Sequence, residues 1–233
     1  MNTKTILLSG PGKNSLSTAL MESTLRAVRE AEGAALLLTG DGDAFSAGLN
    51  LKEVAELDVA GLGKFLGVLE ELVQALYLHP GPTVAWVNGH AIAGGCVLAM
   101  CCDFRVMTPR DTARIGLNEV ALGLKFPPRT MQMIKQRLMS PAIDRVVLEA
   151  ALHAPREALA LGLVDAIGEE ADARAKIATL DSFPRGAYAA SKLTLRSLHV
   201  PADEERRFRD ETIPFWGSPE MKARMRAVLE KKR

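Results

Sequence analysis

Ala91-Ile92-Ala93-Gly94-Gly95-Cys96 and Ile115-Gly116-Leu117-Asn118-Glu119 bracket the stretch on which the fold of this chain turns. Between them lie a small-residue helix, Val97–Cys101, and an apolar strand, Phe104–Met107. The glycine pair opens the helix, where backbone N–H groups have no intrahelical partner. Two such groups aimed at one point stabilise an oxyanion. The competing reading is that Gly94 and Gly95 only let helix and strand pack closely. At the other end, Glu119 is the one ionisable side chain from Ile115 to Leu124. Apolar surroundings push a carboxyl pKa upward, as a general base working near neutrality requires. A structural ion pair is the alternative for Glu119.

Working outward, Thr83–Val87 is a strand apolar on both faces, and Asn88-Gly89 turns the chain into the glycine pair. Upstream, Leu62–Leu78 carries a helical stripe of Leu62, Phe65, Leu66, Leu69, Leu72, Val73 and Leu76, ended by Pro80 and Pro82. Asn50 caps a shorter helix, with Glu53 placed to close a capping box. Residues 40–48 read as a loop, Ala34–Thr39 as a buried strand, Ser15–Glu30 as a helix and Thr5–Leu8 as a first strand. Strand–helix–strand alternation implies parallel βαβ units. Downstream, helices are expected over 128–139, 141–151 and 155–161, a short strand over Leu163–Ile167, and only helices beyond Asp181. The division is an α/β core over residues 1–170 and a helical region over 171–233, with no internal repeat visible.

Composition excludes several classes. A 233-residue chain with 48% hydrophobic and 24% charged residues is that of a globular protein with one substantial core. A net charge of +1 gives no support for a nucleic-acid partner, and Lys231-Lys232-Arg233 reads as a solvated helix end. No apolar run reaches membrane-spanning length, and the N-terminus has no targeting pattern. Cys96, Cys101 and Cys102 fit no zinc spacing and read as reduced, buried thiols, so a cytoplasmic protein without a metal is expected.

Two other motifs are weaker. Gly10-Pro11-Gly12-Lys13-Asn14-Ser15 lacks the glycine spacing and the Lys-Ser/Thr pair of a phosphate loop, which leaves a turn whose Lys13 can still meet a ligand phosphate. Ala44-Phe45-Ser46-Ala47-Gly48 approaches a nucleophile elbow, but Ala44 replaces its first glycine and the later histidines, His79, His90, His153 and His199, lie in unremarkable contexts.

Taken together, Asp43–Glu53 with Phe45-Ser46-Ala47-Gly48-Leu49, Val87-Asn88-Gly89-His90-Ala91 with Ala93-Gly94-Gly95-Cys96, Cys102-Asp103-Phe104-Arg105 and Gly116-Leu117-Asn118-Glu119 resemble the crotonase (enoyl-CoA hydratase/isomerase) superfamily. The resemblance runs from about residue 5 to 170. It implies a spiral of ββα units, a C-terminal helical region serving trimerisation and covering the pocket, and trimers or hexamers. It also implies an acyl-CoA thioester substrate, with coenzyme A entering as part of that substrate and no separate cofactor. By position, the N–H groups of Leu49 and Gly94 become the oxyanion hole and Glu119 the acid–base group. Ser46, Ala47 and Gly48 would lie along the CoA, Lys52 and Lys13 near its phosphates, and Gly95, Val97 and Lys125 would be among the substrate-binding residues.

The departures are informative. Hydratases of the family carry a second Glu where Val97 stands, so the pattern most resembles Δ3,Δ2-enoyl-CoA isomerases, which move a double bond with one carboxylate. Lys125 and Arg129 put cations near the pocket mouth, for a CoA phosphate or for a second carboxylate on the acyl group. Decarboxylation, thioester hydrolysis, hydration and a non-catalytic acyl-CoA-binding role stay open beside isomerisation.

Overall fold

The computed structural model describes residues 3–196 and 198–231. Met1, Asn2, Lys232 and Arg233, which carry parts of the N-terminal and basic-run readings, lie outside the described residues. The chain opens with β1 (Lys4–Leu8), the helical turn α1 (Pro11–Asn14) and α2 (Thr18–Arg29). There follow β2 (Leu36–Gly40), β3 (Ala44–Ser46), α3 (Leu51–Glu56) and α4 (Val59–Tyr77). Next come β4 (Thr83–Val87), β5 (His90–Ile92), α5 (Gly94–Cys101), β6 (Phe104–Met107), β7 (Ile115–Gly116) and α6 (Glu119–Leu122). The remainder is α7 (Pro128–Arg137), α8 (Ala142–Leu148), α9 (Pro155–Ala160), β8 (Ala166–Ile167) and α10 (Glu170–Asp181). Helices α11 (Arg185–Leu195), α12 (Ala202–Arg207), a π-helical turn (Phe208–Thr212), α13 (Ile213–Trp216) and α14 (Pro219–Lys231) complete it.

The strands form two parallel sheets, β1-β2-β4-β6-β8 and β3-β5-β7. Each turn of the chain sends one strand to the large sheet, the next to the small sheet, and then a helix: β2-β3, β4-β5 and β6-β7 repeat this step. This is the expected spiral of ββα units. The crossings need glycine, because a Cβ at Gly40 would stand 2.1 Å from the Ala44 carbonyl oxygen and one at Gly89 2.0 Å from that of Asp43. Both faces of the large sheet are covered. Leu36, Leu38, Ala85 and Val87 join the main core, while Leu37, Val84, Trp86 and Val106 pack with Ala173, Ile177 and Leu180 of α10. Double coverage explains the uninterrupted apolar strands.

Several boundaries differ from the sequence expectation. Residues 40–48 are not all loop, since β3 lies within them. Helix α2 starts at Thr18 rather than Ser15, because Leu16 pairs instead with Leu49 in a parallel bridge and Ser17 caps the helix through the Leu20 N–H. The capping box at α3 is half made. Asn50 accepts the Glu53 N–H at 3.4 Å, but the Glu53 carboxylate accepts the Thr18 N–H at 3.1 Å and so caps α2. The described residues of 171–231 are helical apart from their connections. Among the described residues no helix is long and apolar enough to cross a membrane.

Helix α5 sits at the centre, buried at every residue. Its C-terminal carbonyls are taken by cations: Arg137 donates to the Met100 and Cys102 oxygens, and Arg196 to that of Cys101. Asp103 just beyond ties this end to α11 through Lys192 at 2.9 Å and Arg196 at 2.7 Å. The other end of α5 is open.

Candidate active site

The open end of α5 faces β3 and the strip that follows it. Ala93, which precedes the helix, holds a left-handed φ of 51° and donates its own N–H to the Gly116 oxygen. A non-glycine residue in that region is strained, a feature common where a backbone group must be aimed. The first helical N–H to find an acceptor is that of Val97, at the Ala93 oxygen. The Gly94 N–H is therefore unclaimed, as the geometry of a first helical turn dictates.

The opposing strip is held just as firmly. The Ser46 hydroxyl donates to the Asn14 oxygen and accepts the Gly48 N–H. The Ala47 N–H goes to the Lys13 oxygen, the Leu16 N–H to the Gly48 oxygen and the Asn50 N–H to the Leu16 oxygen. That leaves the Leu49 N–H without an acceptor among the described residues. The two segments are in close approach: a Cβ on Gly48, which has φ 86°, would stand 3.4 Å from the Gly94 nitrogen.

Glu119 completes the group. It is the first residue of α6, 8% exposed, and its Oε2 has no hydrogen-bond partner. Burial raises its pKa to about 8, against a smaller lowering by its own backbone N–H. No ion pair engages it, so the alternative reading of a structural salt bridge fails among the described residues. The Cys96 thiol is also buried and pushed well up, first by burial and then by the Glu119 charge, so it is no nucleophile.

Glu119 and Leu49 stand on the walls of two small cavities. The outer one, about 70 Å³, also meets Ala47, Ile92, Ala93, Asn118 and, from α14, Val228. The inner one, about 20 Å³, also meets Gly94, Leu69, Val97, Lys125, Thr130 and Trp216. The inner cavity that Glu119 lines also has the apolar Val97 on its wall, and among the described residues no second carboxylate lines either cavity. A groove of about 680 Å³ lies elsewhere, between α7 and α11, and its Asp103, Lys192 and Arg196 are bound to one another.

The remaining sequence candidates divide. Leu49, Gly94, Ala47, Val97 and Glu119 come together, and Gly48 borders them. Ser46 does not reach the cavities, since it is fully buried and its hydroxyl is spent on the backbone. Gly95 also turns away: its missing Cβ would stand 2.4 Å from the Ser46 oxygen, so here the packing reading of the glycine pair holds. Lys13 and Lys52 are exposed and line neither cavity. Lys125 lines the inner one, with its ammonium 5.6 Å from the centroid of the Phe215 ring. Arg129 is no free cation at the mouth, because its guanidinium pairs with Glu205 at 3.2 Å. Sequence reasoning did not place Asn118, Thr130 or Trp216 at the site. The Phe215-Trp216 pair in a polar helical region was the available signal for the last.

A family model described as "Enoyl-CoA hydratase/isomerase" matches residues 2–205. A putative enoyl-CoA hydratase of Thermus thermophilus is 38% identical over 171 residues, 70% of this chain and 66% of that protein. The mitochondrial enoyl-CoA delta isomerase 1 of Homo sapiens is 31% identical over 165 residues, 69% of this chain and 55% of that protein. The chain thus spans between about half and two thirds of the length of these curated relatives. The crystal structure of human mitochondrial delta3-delta2-enoyl-CoA isomerase superposes with a TM-score of 0.88 at 25% identity, covering 98% of this chain and 93% of that one.

Proposed function

This chain belongs to the enoyl-CoA hydratase/isomerase family, and from that premise we propose that it binds an acyl-CoA thioester and moves a double bond from C3 to C2, with Glu119 as its one acid–base group. The thioester oxygen is received by the Leu49 and Gly94 N–H groups. The Glu119 carboxylate removes a proton from C2, and the electron pair spreads through the C3–C4 double bond and the carbonyl as a dienolate. Negative charge on the thioester oxygen is stabilised by two preorganised donors that need no reorganisation. Protonated Glu119 then returns the proton at C4, which restores the carbonyl and leaves the double bond between C2 and C3. Ala47 and Gly48 lie along the CoA moiety, with Lys52 and Lys13 toward its phosphates. The assembly proposed is a homotrimer or hexamer, which sedimentation analysis tests.

One observation carries the choice of reaction. Glu119 shares the inner cavity with Val97, 2% exposed and apolar, and among the described residues neither cavity is lined by a second carboxylate. Water addition uses a partner acid to hold and activate the water, while proton transfer between C2 and C4 needs one group on one face. Hydration is the second reading, favoured by the name of the Thermus relative. Incubation with a 3-enoyl-CoA, followed by the ultraviolet absorbance of the conjugated thioester, separates the two. Wild type should produce the conjugated product, and Glu119→Gln should lower the rate about a hundredfold or more. Equal rates for both proteins would remove Glu119 from the mechanism.

A further inference from the structure

Trp216 is 2% exposed, and its indole Nε1–H has no hydrogen-bond partner among the described residues. A buried donor left unpaired is costly, so such groups in folded proteins call for an explanation. Trp216 stands on the wall of the inner cavity with Gly94, Val97 and Glu119. At about 20 Å³ that cavity has room for one water-sized group. The Thr130 hydroxyl on the same wall is already spent on Glu70, at 2.7 Å. Among the described residues Lys125 is the one cation on the wall.

We propose that Trp216 is a specificity-determining residue whose indole N–H donates to an oxygen carried on the acyl group, so that this site takes a short acyl-CoA oxygenated close to its reacting carbons. The inference rests on the acyl-CoA reading above. A carbonyl, hydroxyl or carboxylate oxygen is water-sized and supplies the acceptor that the indole lacks. A plain hydrocarbon chain would fill part of the space and leave the N–H unpaired, and a site built to bond a polar group discriminates against an analogue without it. The positive charge of Lys125 adds to the donor character of this wall.

Saturated acyl-CoAs test this without turnover. Hexanoyl-CoA, 5-oxohexanoyl-CoA and glutaryl-CoA are titrated calorimetrically into wild type and Trp216→Phe, which keeps a ring and removes the donor. At least one oxygenated ligand should bind wild type about tenfold more tightly than hexanoyl-CoA, and the advantage should fall to within about twofold in the variant. Hexanoyl-CoA, which leaves the indole unpaired, should bind the variant at least as tightly as wild type. As a measure independent of the substitution, the Trp216 indole N–H resonance of ¹⁵N-labelled wild type should move downfield with the oxygenated ligand and not with hexanoyl-CoA. Equal affinities in wild type would overturn the proposal and leave the donor to a resident water. An advantage that survives in Trp216→Phe, or an unmoved resonance, would also overturn it. Binding of none of the three would instead remove the acyl-CoA reading itself, which hexanoyl-CoA alone is enough to sustain.

Discussion

Glu70 on α4 and Glu119 on α6 are the same side chain at nearly the same burial, 5% and 8% exposed. Both are pushed above the ordinary carboxyl range, in each case first by burial. Their surroundings diverge. Glu70 accepts the Arg129 N–H at 2.8 Å, the Thr130 N–H at 3.2 Å and the Thr130 hydroxyl, which caps the first turn of α7. Glu119 has an oxygen with no partner and a cavity in front of it. Burial alone therefore does not mark a reactive carboxyl. What separates them is whether the protein has already used the lone pairs.

The largest test of that difference is the pH dependence of stability. The pKa of Glu119 is raised from 4.5 to about 8, so the folded state holds its proton more tightly than the unfolded chain does. Stability is then full below about pH 4.5 and falls as pH rises toward 8, by at most about 5 kcal/mol at 1.36 kcal/mol per unit. Glu119→Gln removes the titration and should be more stable than wild type by several kcal/mol at pH 9 and by little at pH 5. Urea midpoints at both pH values measure it. A wild type as stable at pH 9 as Glu119→Gln would show that the Glu119 charge is compensated after all.

The same substitution at Glu70 should have the opposite sign. Its two oxygens serve different donors, Oε2 the Arg129 N–H and Oε1 the Thr130 N–H and hydroxyl. An amide presents one acceptor and one donor, so Glu70→Gln sets an NH₂ against a backbone N–H. That leaves a buried donor unpaired and should cost about 2 kcal/mol at pH 7, read as a lower urea midpoint with unchanged slope. A neutral or stabilising result would mean that the α7 cap is dispensable.

This pair also marks how far the sequence could be read. Glu119 stands out because no other ionisable residue lies between Ile115 and Leu124, and Val97 because the family resemblance implies a second Glu there in hydratases. Glu70 did not, because its partners are 59 and 60 residues away, and no local pattern reports such a contact. The large sheet was legible in its double-sided apolar strands. The small sheet was not, since β3, β5 and β7 are too short to show a period. For the same reason the repeated ββα step left no trace as a sequence repeat. A motif gives neighbours in the chain, and so it points Ser46 and Gly95 toward the ligand. In space their atoms turn to the backbone of Asn14 and to β3.

The smallest effect is the most specific to the reaction. A general base must be ionised to take a proton, and Glu119 with a pKa of about 8 is mostly protonated at pH 7. The kcat/KM for a 3-enoyl-CoA should therefore rise with pH and level off above 8, gaining about tenfold between pH 7 and 9, since kcat/KM reports the free enzyme. Glu70 is also raised, but it touches neither cavity. Glu70→Gln should accordingly lower stability and leave the midpoint of this profile in place. A midpoint that moves with Glu70→Gln would couple the two carboxyls through Thr130, which bonds Glu70 and lines the inner cavity. A profile flat from pH 6 to 9 would mean that the group titrating in the rate is not Glu119.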